Sequence, residues 1–218
     1  VIVRPRLLKI SRRALAFFVV YGFCGVAAFY FSYVQAVIQT SVTTAVVLLY
    51  TAPAFVTLIA WRAWGEAMNA RKLGTLVLAF IGCALVARAY DATQLSLNAA
   101  GVTLGLGAGF TYALYTVFSK FALARYSQWT ALLYALLFGS LFLAFLQTPD
   151  GFAPLMYQPT VWFYLLALAV GPTLGSLALY NAGLLSVPAS NASLVATIEP
   201  VVASGLAFLF LGERMEVW

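Results

Sequence analysis

Seven times in 218 residues the chain enters a mostly apolar stretch of 15 to 25 residues. The stretches are 14–37, 42–61, 73–87, 99–122, 129–146, 161–185 and 192–211. Crossing the hydrocarbon core of a bilayer as a helix takes about 20 such residues. The third stretch is short, and Ala89 and Tyr90 extend it toward the interface. A membrane barrel would show segments of about ten residues with alternating polarity. These runs are instead continuous and rich in Leu, Ala and Gly, so they predict helices. Only 8% of the residues are charged, against about 25% in soluble domains. A water-facing surface cannot be built from so few polar groups. The expected fold class is an all-α integral membrane protein with seven transmembrane helices.

The connections are short. Residues 38–41 and 186–191 allow only tight turns, and the longest connection, 148–160, holds the turn signal Pro149-Asp150-Gly151. The basic segment 1–13 precedes a run too long for a signal-peptide core. The chain begins at Val1 rather than Met, which reads as a piece of a longer protein. If that basic segment is cytoplasmic and the spans alternate, ten Lys and Arg fall on the cytoplasmic side. These are Arg4, Arg6, Lys9, Arg12, Arg13, Arg62, Arg71, Lys72, Lys120 and Arg125; only Arg88 and Arg214 fall opposite. Such a bias sets membrane orientation and supports the span count. It also explains the net charge of +6 without nucleic acid as a partner.

A repeat is visible at a constant offset of 147 residues. Tyr33 aligns with Tyr180, Ala45 with Ala192, Pro53 with Pro200 and Ala60 with Ala207. Gly65-Glu66 then aligns with Gly212-Glu213, and Met68 with Met215, giving seven identities in 36 positions. The spacing from proline to glutamate is 13 residues in both copies. The pairing sets the first span on the sixth and the second on the seventh. They lie five helices apart, an odd number, so the copies cross in opposite directions. Inverted repeats of this kind mark secondary transporters, with the binding site near the midplane. The expected division is 1–90, the later part of one repeat, and 91–218, the second repeat without its last helix.

Tyr50-Thr51-Ala52-Pro53 running to Gly65-Glu66, then Arg71-Lys72-Leu73-Gly74 and Ile81-Gly82, resembles the end of one EamA repeat. Residues 189–213, with Glu199-Pro200 and Leu211-Gly212-Glu213-Arg214, resemble the matching part of the second. The resemblance implies a ten-helix member of the drug/metabolite transporter superfamily, in a family that includes metabolite and amino-acid exporters. The spans correspond to family helices three to nine, so two further spans are expected upstream and one downstream.

Glu199 is the one acidic residue well inside a span. An intramembrane carboxylate is a functional candidate by default: it could bind a substrate amine, or exchange a proton as the coupling ion. Alternatively it is protonated and bonds backbone freed by Pro200, which lacks an N–H. The resemblance implies Glu-Pro across varied substrates, which favours a structural or gating role. Glu66 and Glu213 stand at span ends, as repeat-motif acids that pair with Arg71 or Arg214 or cap the next helix. Ser190, Ser193, Thr197 and Ser204 recur at helical spacing, as do Tyr112, Tyr115, Thr116 and Ser119. With Tyr33, Tyr50, Thr51, Tyr180 and Asn181 they form a candidate lining, unless each hydroxyl bonds its own helix and the tyrosines sit in the interface belt. Pro53 and Pro172 are candidate helix breaks. Gly101, Gly105 and Gly109 form a doubled small-residue motif, and Gly171 with Gly175 another, suited to close helix packing.

Cys24 and Cys83 lie within apolar runs, there is no histidine, and there is no phosphate-binding loop. No metal, cofactor or catalytic cluster is therefore expected, and the chain does not read as an enzyme. The expected function is secondary transport of a small metabolite or drug-like compound, in the export direction, across a bacterial inner membrane. Expected partners are that compound, the lipid bilayer, protons and a second copy of the chain. The alternatives are a membrane receptor or a non-transporting assembly partner. A retinal receptor needs a lysine within a span, whereas Lys9, Lys72 and Lys120 lie at or beyond span ends.

Overall fold

A computed structural model describes residues 10–87, 89–93, 95, 98–146 and 158–211. Every regular element among them is helical. The spans are Arg12–Gln39, Val42–Trp64, Ala70–Val86, Ala99–Leu123, Gln128–Leu146, Pro159–Ser186 and Ala189–Phe210. Six of these are long and apolar enough to cross a membrane, while Ala70–Val86, at 17 residues, falls just short; the protein is an all-α integral membrane protein.

Polar caps fix several span starts, at Arg12 and Ala70 ahead of the apolar runs and at Val42 where the run itself begins. Ser11 and Ser41 accept the N–H groups of Ala14 and Thr44 at 3.2 and 3.1 Å. Asn69 accepts that of Lys72 at 2.9 Å, which starts the third span at Ala70. Each cap satisfies an orphan donor of the first turn. Pro159 opens the sixth span, where its missing N–H leaves no bond unmade. Gly65 ends the second span at φ 64°, a left-handed conformation that glycine adopts without strain.

The 147-residue offset reappears in the backbone. Arg12–Gln39 and Pro159–Ser186 are both 28 residues long, and each contains a wide π-helical turn. These turns, Gly22–Ala27 and Ala169–Gly175, also start 147 residues apart. The second span breaks between Val42–Leu49 and Ala52–Trp64. The seventh breaks between Ala189–Ala196 and Glu199–Leu206, again 147 residues on.

The described residues form two compact units, each drawing on both halves of the chain. One comprises 1–31 and 111–189. Its core is aromatic: Phe18 stacks on Tyr134 at 5.3 Å and meets Tyr126 edge-on at 5.4 Å. The first and fifth spans touch backbone to backbone there. A Cβ on Gly22 would lie 2.6 Å from Phe138 Cβ and 2.7 Å from the Gly139 nitrogen. The other unit comprises 32–110 and 190–218. Here Gly101, Gly105 and Gly109 face Thr40, Leu48 and Thr51, so the fourth span packs on the second through its small residues, as expected. The other small-residue pair behaves differently. Gly171 has nothing within 4 Å of its Cβ direction among the described residues, and Gly175 meets only the Val170 carbonyl at 3.5 Å. Those glycines, with Pro172, belong to a wide turn rather than to a packed seam.

Candidate functional site

Both helix breaks lie in the second unit and have the same backbone form. Thr51 has φ −73° and ψ −13°; Ile198, its repeat mate, has φ −72° and ψ −14°. In the first break Thr51 N–H bonds Leu48 O at 3.1 Å and Ala54 N–H bonds Thr51 O at 3.0 Å. In the second, Ile198 N–H bonds Val195 O at 3.2 Å and Val201 N–H bonds Ile198 O at 3.0 Å. The cause is local. Pro53 and Pro200 each remove the donor that the carbonyl four residues earlier would use. The chain tightens for a turn and restarts as a new helix with proline at its start. Thr51 and Thr197 satisfy nearby carbonyls, donating to Leu48 O at 2.6 Å and Leu194 O at 2.7 Å.

A cavity of about 290 Å³ adjoins the two breaks, lined by Tyr50, Thr51, Pro53, Phe80, Thr197 and neighbouring apolar residues of the third span. Broken helices are tolerated at membrane depth where they line such a space or are covered by protein. Cys83, on the third span, is 3% exposed and its thiol donates to Thr197 O at 3.7 Å. Glu199 is the first residue of the restarted half-helix, at the positive end of its dipole. Tyr33 and Tyr50 lie in its neighbourhood. Glu199 is exposed among the described residues, whereas the sequence suggests a buried carboxylate. Proline forces the break to fall here, and the break leaves the side chain on an open face.

Residues 1–88 and 99–218 match the model of the EamA-like transporter family. The chain belongs to this family. It is 30% identical over 203 residues to an uncharacterized transporter of Archaeoglobus fulgidus, covering 93% of this chain and 69% of that one. Against the uncharacterized transporter YwfM of Bacillus subtilis it is also 30% identical, over 64% of this chain and 46% of the relative. The uncharacterized inner membrane transporter YicL of Salmonella typhimurium is 26% identical over 94% of this chain and 68% of its own length. One solved crystal structure superposes on 97% of this chain and 72% of its own, with a TM-score of 0.76 and 16% identity, which speaks to fold alone. The chain is thus a multi-pass membrane protein of a transporter family, and it spans about half to two thirds of the length of these relatives.

Other candidates of this family member gather in the first unit, in a buried polar cluster. Tyr21 and Ser119 share a hydrogen bond of 2.5 Å, and Thr116 and Tyr180 one of 2.9 Å. Tyr115, 4% exposed, and Asn181, fully buried, stand beside them. The Tyr115 hydroxyl stands near Tyr21, Ser119 and the Asn181 amide, but neither it nor the amide makes a hydrogen bond of normal geometry among the described residues. Tyr112 is half-buried and packs its ring on Phe29 at 5.4 Å. A separate apolar cavity of about 730 Å³ in this unit runs along the fifth span, past Tyr30, Trp129 and Thr173.

The serine stripe of the seventh span divides. Ser193 and Ser204 bond carbonyls of their own helix, Ser190 O at 2.9 Å and Pro200 O at 2.8 Å. Ser190 instead donates its hydroxyl to Glu66 Oε2. Glu66 is thereby joined to the start of the seventh span, and Lys72 Nζ lies 3.5 Å from the same oxygen. Glu213 lies outside the described residues. Two lysines went unnoticed as partners in the sequence. Besides Lys72, Lys120 donates to Leu184 O at 2.5 Å and Val187 O at 2.8 Å, closing the end of the sixth span. Their only signal is position: each is a lone ammonium at a span end, where orphan carbonyls or a carboxylate attract it.

Proposed function

We propose that this transporter exports a small, partly apolar metabolite bearing an amine, from the cytoplasm across a bacterial inner membrane. The supporting observation is the pair of matching helix breaks beside one cavity, with a carboxylate at the second break and a hydroxyl on each. Paired broken spans in corresponding repeat positions are the strongest sequence-level pointer to a transporter's binding site. Glu199 offers the amine its counter-charge, or takes up a proton as substrate leaves. Tyr50 and Phe80 offer ring faces to the cation and to an apolar moiety. Ala52 occupies the corresponding position of the first break, so the site has one charged pole and one apolar pole. The repeats are taken as 1–90 and 91–218, and the action is carriage without catalysis.

The full-length gene is expressed in a strain lacking its own copy, and intracellular and extracellular metabolites are compared by mass spectrometry. Enrichment of an amine outside the cell is expected with the wild-type gene and not with Glu199→Gln. Equal pools in both strains would refute export; enrichment that survives Glu199→Gln would remove the carboxylate from the mechanism.

A further inference from the structure

Three helix ends of the second unit meet at one nearly desolvated cluster. Glu66 follows the second span, Lys72 lies in the first turn of the third, and Ser190 in the first turn of the seventh. The side chains of Glu66 and Lys72 are 13% and 14% exposed, and Ser190 is fully buried. Lys72 Nζ donates to Ser190 Oγ at 2.5 Å, and Ser190 donates both its hydroxyl and, at 3.4 Å, its N–H to Glu66 Oε2. A carboxylate at a helix N-terminus, backed by an ammonium, is the arrangement in which such a bond is strongest. Four spans separate Glu66 from Ser190, so the tie joins ends on one side of the membrane. That side carries Arg62, Arg71 and Lys72, the basic and hence cytoplasmic side.

The tie joins two particular pieces of helix. Ala52–Trp64 and Ala189–Ala196 are the halves of the broken spans on that side. Ala189–Ala196 ends at a break whose missing hydrogen bond allows it to pivot against its outer half. We infer that Glu66, Lys72 and Ser190 form a cytoplasmic latch that holds the inner halves together and closes the break cavity from within. Alternating access then requires this cluster to open. The inference rests on the proposed transport site, but its test does not.

Cys83, beside the break, is the reporter thiol in the full-length protein with its other cysteines replaced. Inside-out and right-side-out vesicles are treated with a membrane-impermeant maleimide, and labelling is followed with time. Ser190→Ala and Lys72→Met, both mild in volume, are expected to speed labelling about tenfold from the cytoplasmic face only, each variant first shown to be monodisperse. Labelling at the parental rate would overturn the latch. An equal rise from both faces would also overturn it, because it would report local unfolding. No transported compound enters the measurement, so failure to find an exported metabolite leaves its result standing.

Discussion

Gly22→Ala tests a backbone-to-backbone contact between the first and fifth spans. A Cβ there would lie 2.6 Å from Phe138 Cβ, 2.7 Å from the Gly139 nitrogen and 3.0 Å from Ala135 O. Two of these three atoms are backbone and cannot rotate away, so the first and fifth spans must separate or the wide turn must shift. Overpacking of this kind costs about 1–3 kcal/mol. Gly82→Ala is the matched control. It lies mid-helix in Ala70–Val86, and its Cβ would meet nothing within 4 Å among the described residues. There the same change is expected to stabilise by about 0.5–1 kcal/mol, the helix preference of alanine over glycine. The two variants should therefore differ by about 1.5–4 kcal/mol, in opposite directions from wild type. Thermal unfolding of the purified full-length protein, followed by fluorescence-detected size exclusion, reads both signs. Equal melting temperatures for the two variants would refute the claimed backbone contact between these spans.

Lys120→Met removes two bonds that a charged donor makes to the end of the sixth span; it should cost about 1–3 kcal/mol in the same assay. A melting temperature unchanged from wild type would argue against that cap. Asn181→Leu should leave stability unchanged or raise it, because the buried amide makes no hydrogen bond of normal geometry that the change would remove. A large loss of stability would mean that the amide is bonded in the native protein. Pro200→Ala gives the carbonyl of Ala196 a helical donor again and should straighten the seventh span, raising the melting temperature while export falls at least tenfold. Faster export would show that the break does not serve the transport cycle.

The spans were legible because lipid leaves little choice: a run of about 20 apolar residues has one stable form. Their ends were less legible, because Ser11, Ser41 and Asn69 act through capping bonds that hydropathy does not register. Pro53 and Pro200 announced the breaks, since proline cannot donate within a helix wherever it stands. The wide turn at Gly22–Ala27 was not announced: it contains no proline, while its mate at Ala169–Gly175 has Pro172. Partnerships across the sequence were beyond reach for another reason. Lys72 and Ser190 are 118 residues apart, and nothing local in either stretch requires the other. The hydroxyls of Ser193, Thr197 and Ser204 share one helix face and each bonds its own helix, while of the three only Thr197 also lines the break cavity. A hydroxyl in a low-dielectric helix can nearly always find a carbonyl three or four residues back, so its presence says little about a ligand.

The two breaks share a backbone but not their support, and this difference bears on which one moves. Against the first, the fourth span presents Gly109 so closely that a Cβ there would stand 3.0 Å from Leu48 O and 2.7 Å from the Thr51 hydroxyl. The contact with Leu48 O is with backbone and has no rotamer to relax into. Against the second stands the Cys83 thiol, a weak donor at 3.7 Å from Thr197 O. A thiol bond of this length is easily given up, whereas a glycine seam is not. The first break is therefore a fixed bend and the second a yielding one. Glu199 opens the outer half-helix at the yielding break, which it shares with the inner half-helix that Glu66 holds at its other end.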